Sequence, residues 1–337
     1  MSMISTRRSR WLGAAVLAIA SLAAPVSAQT PTGTIVIPVA ATRQLPLYVA
    51  EDRGFWRDAG YDLKVSVVRG VAATNAVISG NADFAYTGSL AMLRAAANGQ
   101  ILLAISQMQN ALSHQVVLRA DVAQRLAAAA GGDPIARAKA LAGLTFAVDT
   151  LDGQPHGYLK YALGRSGLNP DKDVTVTPVQ PPSMVAALQT RAVDGFVFSK
   201  PWTDLAVTQV SAKMWLDSEK DALEIQPFAA GVVVTKPDTC EKRPAVCKAV
   251  VVGLQKAVDF IRADRNGAKA ILAKRFAELD PATLDDAVVD SLYSVGQNLR
   301  VSADALKNVQ SFLVTSGLLP ANARVDLEKL YSNQYAP

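Results

Sequence analysis

Two stretches more than a hundred residues apart carry the same pattern. Ala76-Val77-Ile78-Ser79-Gly80-Asn81-Ala82-Asp83 leads into Phe84-Ala85-Tyr86, then Thr87-Gly88-Ser89. Ala187-Leu188-Gln189-Thr190-Arg191-Ala192-Val193-Asp194 leads into Gly195-Phe196-Val197-Phe198, then Ser199-Lys200-Pro201. Each reads as a helix end, a tight turn, a short buried strand and a turn that begins another helix, which is half of a βαβ unit. Two separated copies predict two similar α/β lobes, and small ligands bind between such lobes.

The rest of the chain keeps this alternation. Strands are predicted at 34–40, 63–68, 84–86, 101–108, 144–148, 174–177, 195–198, 213–216 and 230–235. Helices are predicted between them at 45–58, 71–79, 89–97, 155–165, 183–190 and 202–210. Each sheet should therefore be mostly parallel, with helices on both faces. The alanine-rich segment 121–142 reads as two short helices joined by the exposed loop Gly131-Gly132-Asp133-Pro134. After residue 235 only helices follow, at 239–261, 267–276, 281–293 and 303–315. These need a sheet to cover. The simplest path crosses to the second lobe near Asn110 and returns near Phe228. The first lobe is then 33–110 with 228–337, and the second is 111–227. Two crossings make a hinge.

The amino-terminal residues set the compartment. Arg7, Arg8 and Arg10 precede an apolar run, Trp11 to Ala24, and Val26-Ser27-Ala28 offers small residues for cleavage. This reads as a cleaved secretory signal peptide, 1–28, and places the mature chain in the periplasm. The run is shorter than the ~20 residues of a spanning helix. Both the general and the twin-arginine export routes stay open. The leader holds three arginines and no acid, so its removal takes the formal net charge from +5 to +2. That weak balance, with no basic run interleaved by aromatics, argues against nucleic acid. About 300 residues remain, enough for two domains. Cys240 and Cys247 are the only cysteines; they can form a local disulfide or remain thiols.

Motifs for chemistry are missing. The chain has no Gly-x-Ser-x-Gly, no His-Glu-x-x-His, no phosphate loop and no Gly-x-Gly-x-x-Gly turn. It reads as a binding protein without a cofactor or metal rather than as an enzyme.

Several segments together resemble a known family: Leu45-Pro46-Leu47-Tyr48-Val49-Ala50, Gly54-Phe55-Trp56, Gly60-Tyr61-Asp62-Leu63, Gly80-Asn81-Ala82-Asp83, Thr87-Gly88, Leu141-Ala142-Gly143, Gly167-Leu168 and Val193-Asp194-Gly195. In this order they resemble ABC-transporter substrate-binding proteins of the nitrate/sulfonate/taurine type, which share their fold with enzymes of thiamine-precursor synthesis. The resemblance runs from about Ile35 to Pro237. It implies a type II periplasmic binding protein fold of two lobes, here with extra C-terminal helices. It also implies a monomer that hands its solute to a membrane permease driven by a separate ATPase. A thiamine-precursor-type enzyme and a secreted ligand sensor are the alternatives.

Site residues follow from where strands end, because ligands of open α/β sheets sit there and helix starts offer unpaired N–H groups. The turns so placed hold Thr42, Arg43 and Gln44; Gly70 and Val71; Thr87, Gly88 and Ser89; Gln154 and His156; and Lys200 with Trp202. Arg43 suits a carboxylate or sulfonate. His156 stands in a turn that resembles the family's, although Gln154 and Pro155 replace frequent serines. Lys200 stands where relatives often carry an acid, which predicts an anionic solute. Tyr86, Trp202 and Phe228 are candidate apolar walls, with Phe228 read as core. Gln107, Gln109 and Asn110 read as ligand or hinge partners, and His114 as structural.

Overall fold

A computed structural model describes residues 30–295 and 298–336, together with Met1 and Ser2. The expected leader, 1–28, lies outside the described residues apart from those first two. No helix among the described residues is long and apolar enough to cross a membrane.

Among the described residues, ten strands form two five-stranded sheets. The first contains β1 (Thr32–Ile37), β2 (Asp62–Val67), β3 (Phe84–Thr87), β4 (Leu103–Gln109) and β10 (Gly231–Thr235), in the order β2-β1-β3-β10-β4. The second contains β5 (Gln115–Leu118), β6 (Thr145–Val148), β7 (Thr175–Pro178), β8 (Gly195–Phe198) and β9 (Lys213–Asp217), in the order β7-β6-β8-β5-β9. The two orders correspond position by position. In each sheet four strands run one way and the fourth in order, β10 or β5, runs against its two neighbours. That reversed strand is the first one laid down after each crossing between lobes. Each sheet with its helices forms one lobe.

The repeat of the sequence occupies equivalent places. β3 pairs with β1 and β10, and β8 with β6 and β5. Asp83 Oδ2 accepts the Thr34 N–H at 3.0 Å, and Asp194 Oδ2 accepts the Thr145 N–H at 2.9 Å. Each aspartate thus pins the start of its strand to the start of the neighbouring one. Three residues earlier the chain turns through the left-handed region in both copies, at Gly80 (φ 82°) and at Arg191 (φ 60°).

Four details differ from the sequence reading. The helix expected over 45–58 breaks at Gly54, whose φ of 69° starts a new turn, into Leu45–Asp52 and Phe55–Asp58. The helix expected over 239–261 divides at Arg243 and Pro244 into Pro237–Lys242 and Pro244–Ala263, because a proline carries no N–H to continue the first helix. Residues 120–139 form three short helices rather than two. The sequence reading places no strand at β5. Its four residues are all buried, so they carry no alternation to mark a strand.

The C-terminal helices do two jobs. Pro244–Ala263, Arg265–Arg275 and Pro281–Ser294 cover the first lobe around Leu45–Asp52. Trp56 anchors them: its Nε1 donates to the Val250 carbonyl at 3.1 Å, and Gly253 leaves it room, since a Cβ there would stand 2.2 Å from the indole. A disulfide, Cys240–Cys247, ties Pro237–Lys242 to Pro244–Ala263. The last helix, Ala303–Thr315, packs instead between Ser89–Ala97 of the first lobe and Gln154–Arg165 of the second. Phe312 lies 5.3 Å from both Tyr161 and Phe228, ring to ring, so one apolar core runs through both lobes.

The crossings run side by side. The N–H groups of Phe228 and Ala230 donate to the Asn110 and Gln109 carbonyls at 2.9 and 3.0 Å. Gln226 both accepts from the Leu112 N–H and donates to its carbonyl. The boundaries expected at 110/111 and 227/228 fall in these two connections.

Candidate functional site

The carboxyl ends of the strands of both sheets face a shared cavity of about 330 Å³. From the first lobe come the turn after β1 (Pro38, Val39, Ala41, Arg43, Gln44), Gly70 and Val71 after β2, and Tyr86, Thr87 and Gly88 at the end of β3. From the second come Asp149 and Thr150 after β6, the helix start Gly153-Gln154-Pro155, and Phe198 with Ser199 at the end of β8. Gln109, His114 and Ala230 come from the ends of the crossings. A second cavity of about 360 Å³ adjoins this inner one and shares Pro38, Val39, Gly70, Asp149 and Thr150.

Helix starts open onto the inner cavity as the strand order requires. Gly88 and Gly153 are the caps of Ser89–Ala97 and Gln154–Arg165, and neither helix has a side-chain cap. Their first N–H groups are therefore unclaimed by capping and favour an acceptor or an anion. Gln154 lies flat against Gly88, where a Cβ would stand 3.0 Å from its Nε2, and donates to the Ala230 carbonyl at 2.6 Å. Gly231 makes the same allowance for the Tyr86 hydroxyl.

Arg43 is half-buried and projects into the cavity from the turn after β1. Its guanidinium holds Ser113 at the first crossing, through Nη1 to Oγ and Nη2 to the carbonyl at 3.0 Å. Burial lowers its pKa, against which Glu219, Asp290 and Asp217 favour the charged form. Five donors on a planar fork leave capacity for a ligand oxygen after Ser113 is bound.

Further titratable groups of the cavity include His114 and Asp149. Burial drives the His114 imidazole down to about 3, helped by the nearby Arg43 charge, so it is neutral at pH 7. Burial pushes the Asp149 carboxyl up to about 6 against hydrogen bonds from Thr150 and its own backbone, so it is mostly ionised at pH 7. Arg94 closes one side, donating to the Asp152 carbonyl across the cleft at 3.1 Å.

The structure gathers Arg43, Gln44, Gly70, Val71, Thr87, Gly88 and Gln154 around one cavity. It places the other five expected residues elsewhere. Thr42 is buried beneath the first turn. Ser89 points away from the cavity and donates to the Ala229 carbonyl. His156 accepts the Asp152 N–H on Nδ1 at 2.8 Å, as a helix-start residue of its own lobe. Lys200 pairs with Asp290. Trp202 lines the second cavity rather than the inner one. Phe228 is core, and Gln107 binds the Ser302 N–H and Asn110. Sequence reasoning missed Asp149 and Phe198, although each ends or directly follows a strand as the chosen turns do. It read His114 as structural because of its place near the crossing.

A model of the NMT1-like family matches residues 33–277. The nitrate/nitrite binding protein NrtA of Nostoc sp. is 29% identical over 116 residues, 32% of this chain and 24% of that protein. The nitrate import ATP-binding protein NrtC of Synechocystis sp. is 29% identical over 102 residues, 30% of this chain and 15% of that one. The chain thus spans about a quarter or less of the length of these curated relatives. Among solved structures, the alkanesulfonate-binding protein SsuA from Xanthomonas axonopodis pv. citri, bound to MOPS, superposes with a TM-score of 0.69 at 20% identity, over 91% of this chain and 100% of that one. The periplasmic nitrate-binding protein NrtA from Synechocystis PCC 6803 gives 0.69 at 19% identity, over 91% and 87%. At these identities the superpositions establish the periplasmic binding protein fold.

Proposed function

The chain belongs to the NMT1-like family, and we propose that it is the periplasmic solute-binding component of an ABC importer. It captures a small organic anion, a sulfonate or an aromatic or aliphatic carboxylate, and releases it unchanged to a membrane permease with a separate ATPase. The observation that carries this reading is the cavity itself: strand ends of two like lobes, Arg43, and uncapped helix starts converge on one space. The relatives described as nitrate and sulfonate binders support the class of ligand. The division at 110/111 and 227/228 makes two hinged bodies, and the mature chain works as a monomer after its leader is removed.

The mechanism is capture without chemistry. A solute settles on one lobe and the other closes over it; closure follows only from contacts stronger in the closed state. Arg43 gathers the acidic group, and the starts of Ser89–Ala97 and Gln154–Arg165 approach it from opposite lobes. Tyr86 and Phe198 pack against the carbon skeleton. Contacts already spanning the lobes, Arg94 to Asp152 and Gln154 to Ala230, hold the closed form.

A thermal-shift screen of organic anions against neutral analogues tests this, because a ligand of the folded form raises its melting point. Anions should stabilise the protein, and mass spectrometry should return each one unaltered. A chemical product, or stabilisation by neutral analogues alone, overturns the reading.

A further inference from the structure

Four buried side-chain atoms among the described residues have no hydrogen-bond partner, and two of them, Asp149 Oδ1 and His114 Nδ1, belong to residues lining the inner cavity. A native fold satisfies its buried polar atoms from within, with water, or with a ligand. His114 Nδ1 can serve a ligand as donor or acceptor according to tautomer. An ionised carboxylate accepts only. Its missing partner must be a donor.

The surroundings of Asp149 agree. The groups that offset its burial are Thr150 and its own backbone, with no cation among them. A Cβ at Gly153 would stand 3.1 Å from the Thr150 carbonyl oxygen and 3.7 Å from Asp149 Oδ1, so glycine lets this turn close tightly around the carboxylate. Asp149 also belongs to the lining of both chambers. The cations lining the inner cavity, Arg43 and Arg94, both come from the opposite lobe.

We propose that Asp149 sets the specificity of the cleft: it selects organic anions that also carry a hydrogen-bond donor, an ammonium or N–H group, reaching its carboxylate while the acidic group lies toward Arg43. This rests on the anion reading above and narrows it. A solute without a donor leaves the carboxylate unpaired and, if anionic, meets its charge at close range. An inorganic oxyanion is disfavoured twice over. It has no donor, and it leaves most of the 330 Å³ cavity empty, which is room for several waters at ~30 Å³ each.

The test uses matched pairs on the full mature chain: para-aminobenzoate with benzoate, β-alanine with propionate, and aminomethanesulfonate with methanesulfonate. Neutral para-aminobenzamide is a separate arm. Calorimetry on the wild type should show the amino member of at least one pair binding tenfold or more tighter than its partner. Asp149→Asn should cut that preference to threefold or less while leaving the donor-free anion as tight or tighter. The wild-type comparison stands even if the variant does not fold. Equal affinity within every pair, a preference that survives Asp149→Asn, or no binding by any pair overturns the proposal. Binding of para-aminobenzamide as tight as that of para-aminobenzoate, lost in Asp149→Asn, would sink the anion reading and keep Asp149 as the selector.

Discussion

Lys200 Nζ of the second lobe stands 3.3 Å from Asp290 Oδ2 of the first, outside the cavity lining. The side chains are 39% and 35% exposed, so solvent screens the pair and its worth is about 0.2–1 kcal/mol. It is a contact between the two sheets' helical layers. Lys200→Ala and Asp290→Ala should each weaken binding of an organic anion by no more than about 1 kcal/mol, and the double variant by no more than either alone. A calorimetric cycle checks this. Loss of about 2 kcal/mol or more for Lys200→Ala, with none for Asp290→Ala, would return Lys200 to the ligand.

Arg43 carries the anion on this account. Arg43→Ala should weaken organic-anion binding by about 2 kcal/mol or more, since charged hydrogen bonds are the stronger class. Because Arg43 also holds Ser113 at the crossing, Ser113→Ala is the control. It removes the tether to the hydroxyl, keeps the charge, and should cost binding less than half as much.

Arg191 takes the left-handed turn that Gly80 takes in the first copy. A side chain there costs roughly 1 kcal/mol, which glycine avoids. Arg191→Gly should raise the unfolding free energy by up to about 1 kcal/mol in urea titrations, and Gly80→Ala should lower it by a similar amount. Neither should alter solute affinity, as both positions lie at the far ends of their strands from the cavity.

The Cys240–Cys247 bridge closes a loop with a sequence separation of 7. Chain-entropy reasoning gives a short loop about 2 kcal/mol. The double serine variant should therefore unfold at lower urea than the oxidised protein and match the reduced wild type. No difference between oxidised and reduced forms would show that the bridge does not form.

Two cavity groups make stability depend on pH in opposite senses. The folded pKa of His114 falls from 6.5 to about 3 through burial. The unfolded chain therefore binds the extra proton first, and stability is lost as pH drops below 6.5. The Asp149 pKa rises from 3.8 to about 6 through burial. The folded chain then binds its proton first, and stability is gained as pH drops from about 6 to 3.8. Each contributes up to about 1.4 kcal/mol per pH unit in its window. Asp149→Asn should remove the gain, so its stability relative to wild type falls between pH 6 and 4. His114→Gln should remove the loss and improve over the same range. Urea midpoints at several pH values measure both; a flat difference for Asp149→Asn would mean its carboxyl is not shifted.

The repeat carried most of the fold because it records local geometry. A helix end, a left-handed turn and an aspartate that caps the neighbouring strand occupy adjacent positions, as Asp83 to Thr34 and Asp194 to Thr145 show. Strand ends located most of the cavity wall for the same reason. β5 escaped notice because burial on both faces erases period, and the break at Gly54 because the helical pattern continues past it.

The sequence alone determined two like α/β sheets and many of the turns that line the cavity, since each of these follows from patterns within a few residues. Tertiary structure alone decided which charges in those turns are spent and which remain. Lys200 meets Asp290 and Arg43 meets Ser113 across 90 and 70 positions, while Asp149 Oδ1 has no hydrogen-bond partner. Electrostatic neighbours are set by distance in space and by exclusion of water, and neither is written in the order of residues along the chain.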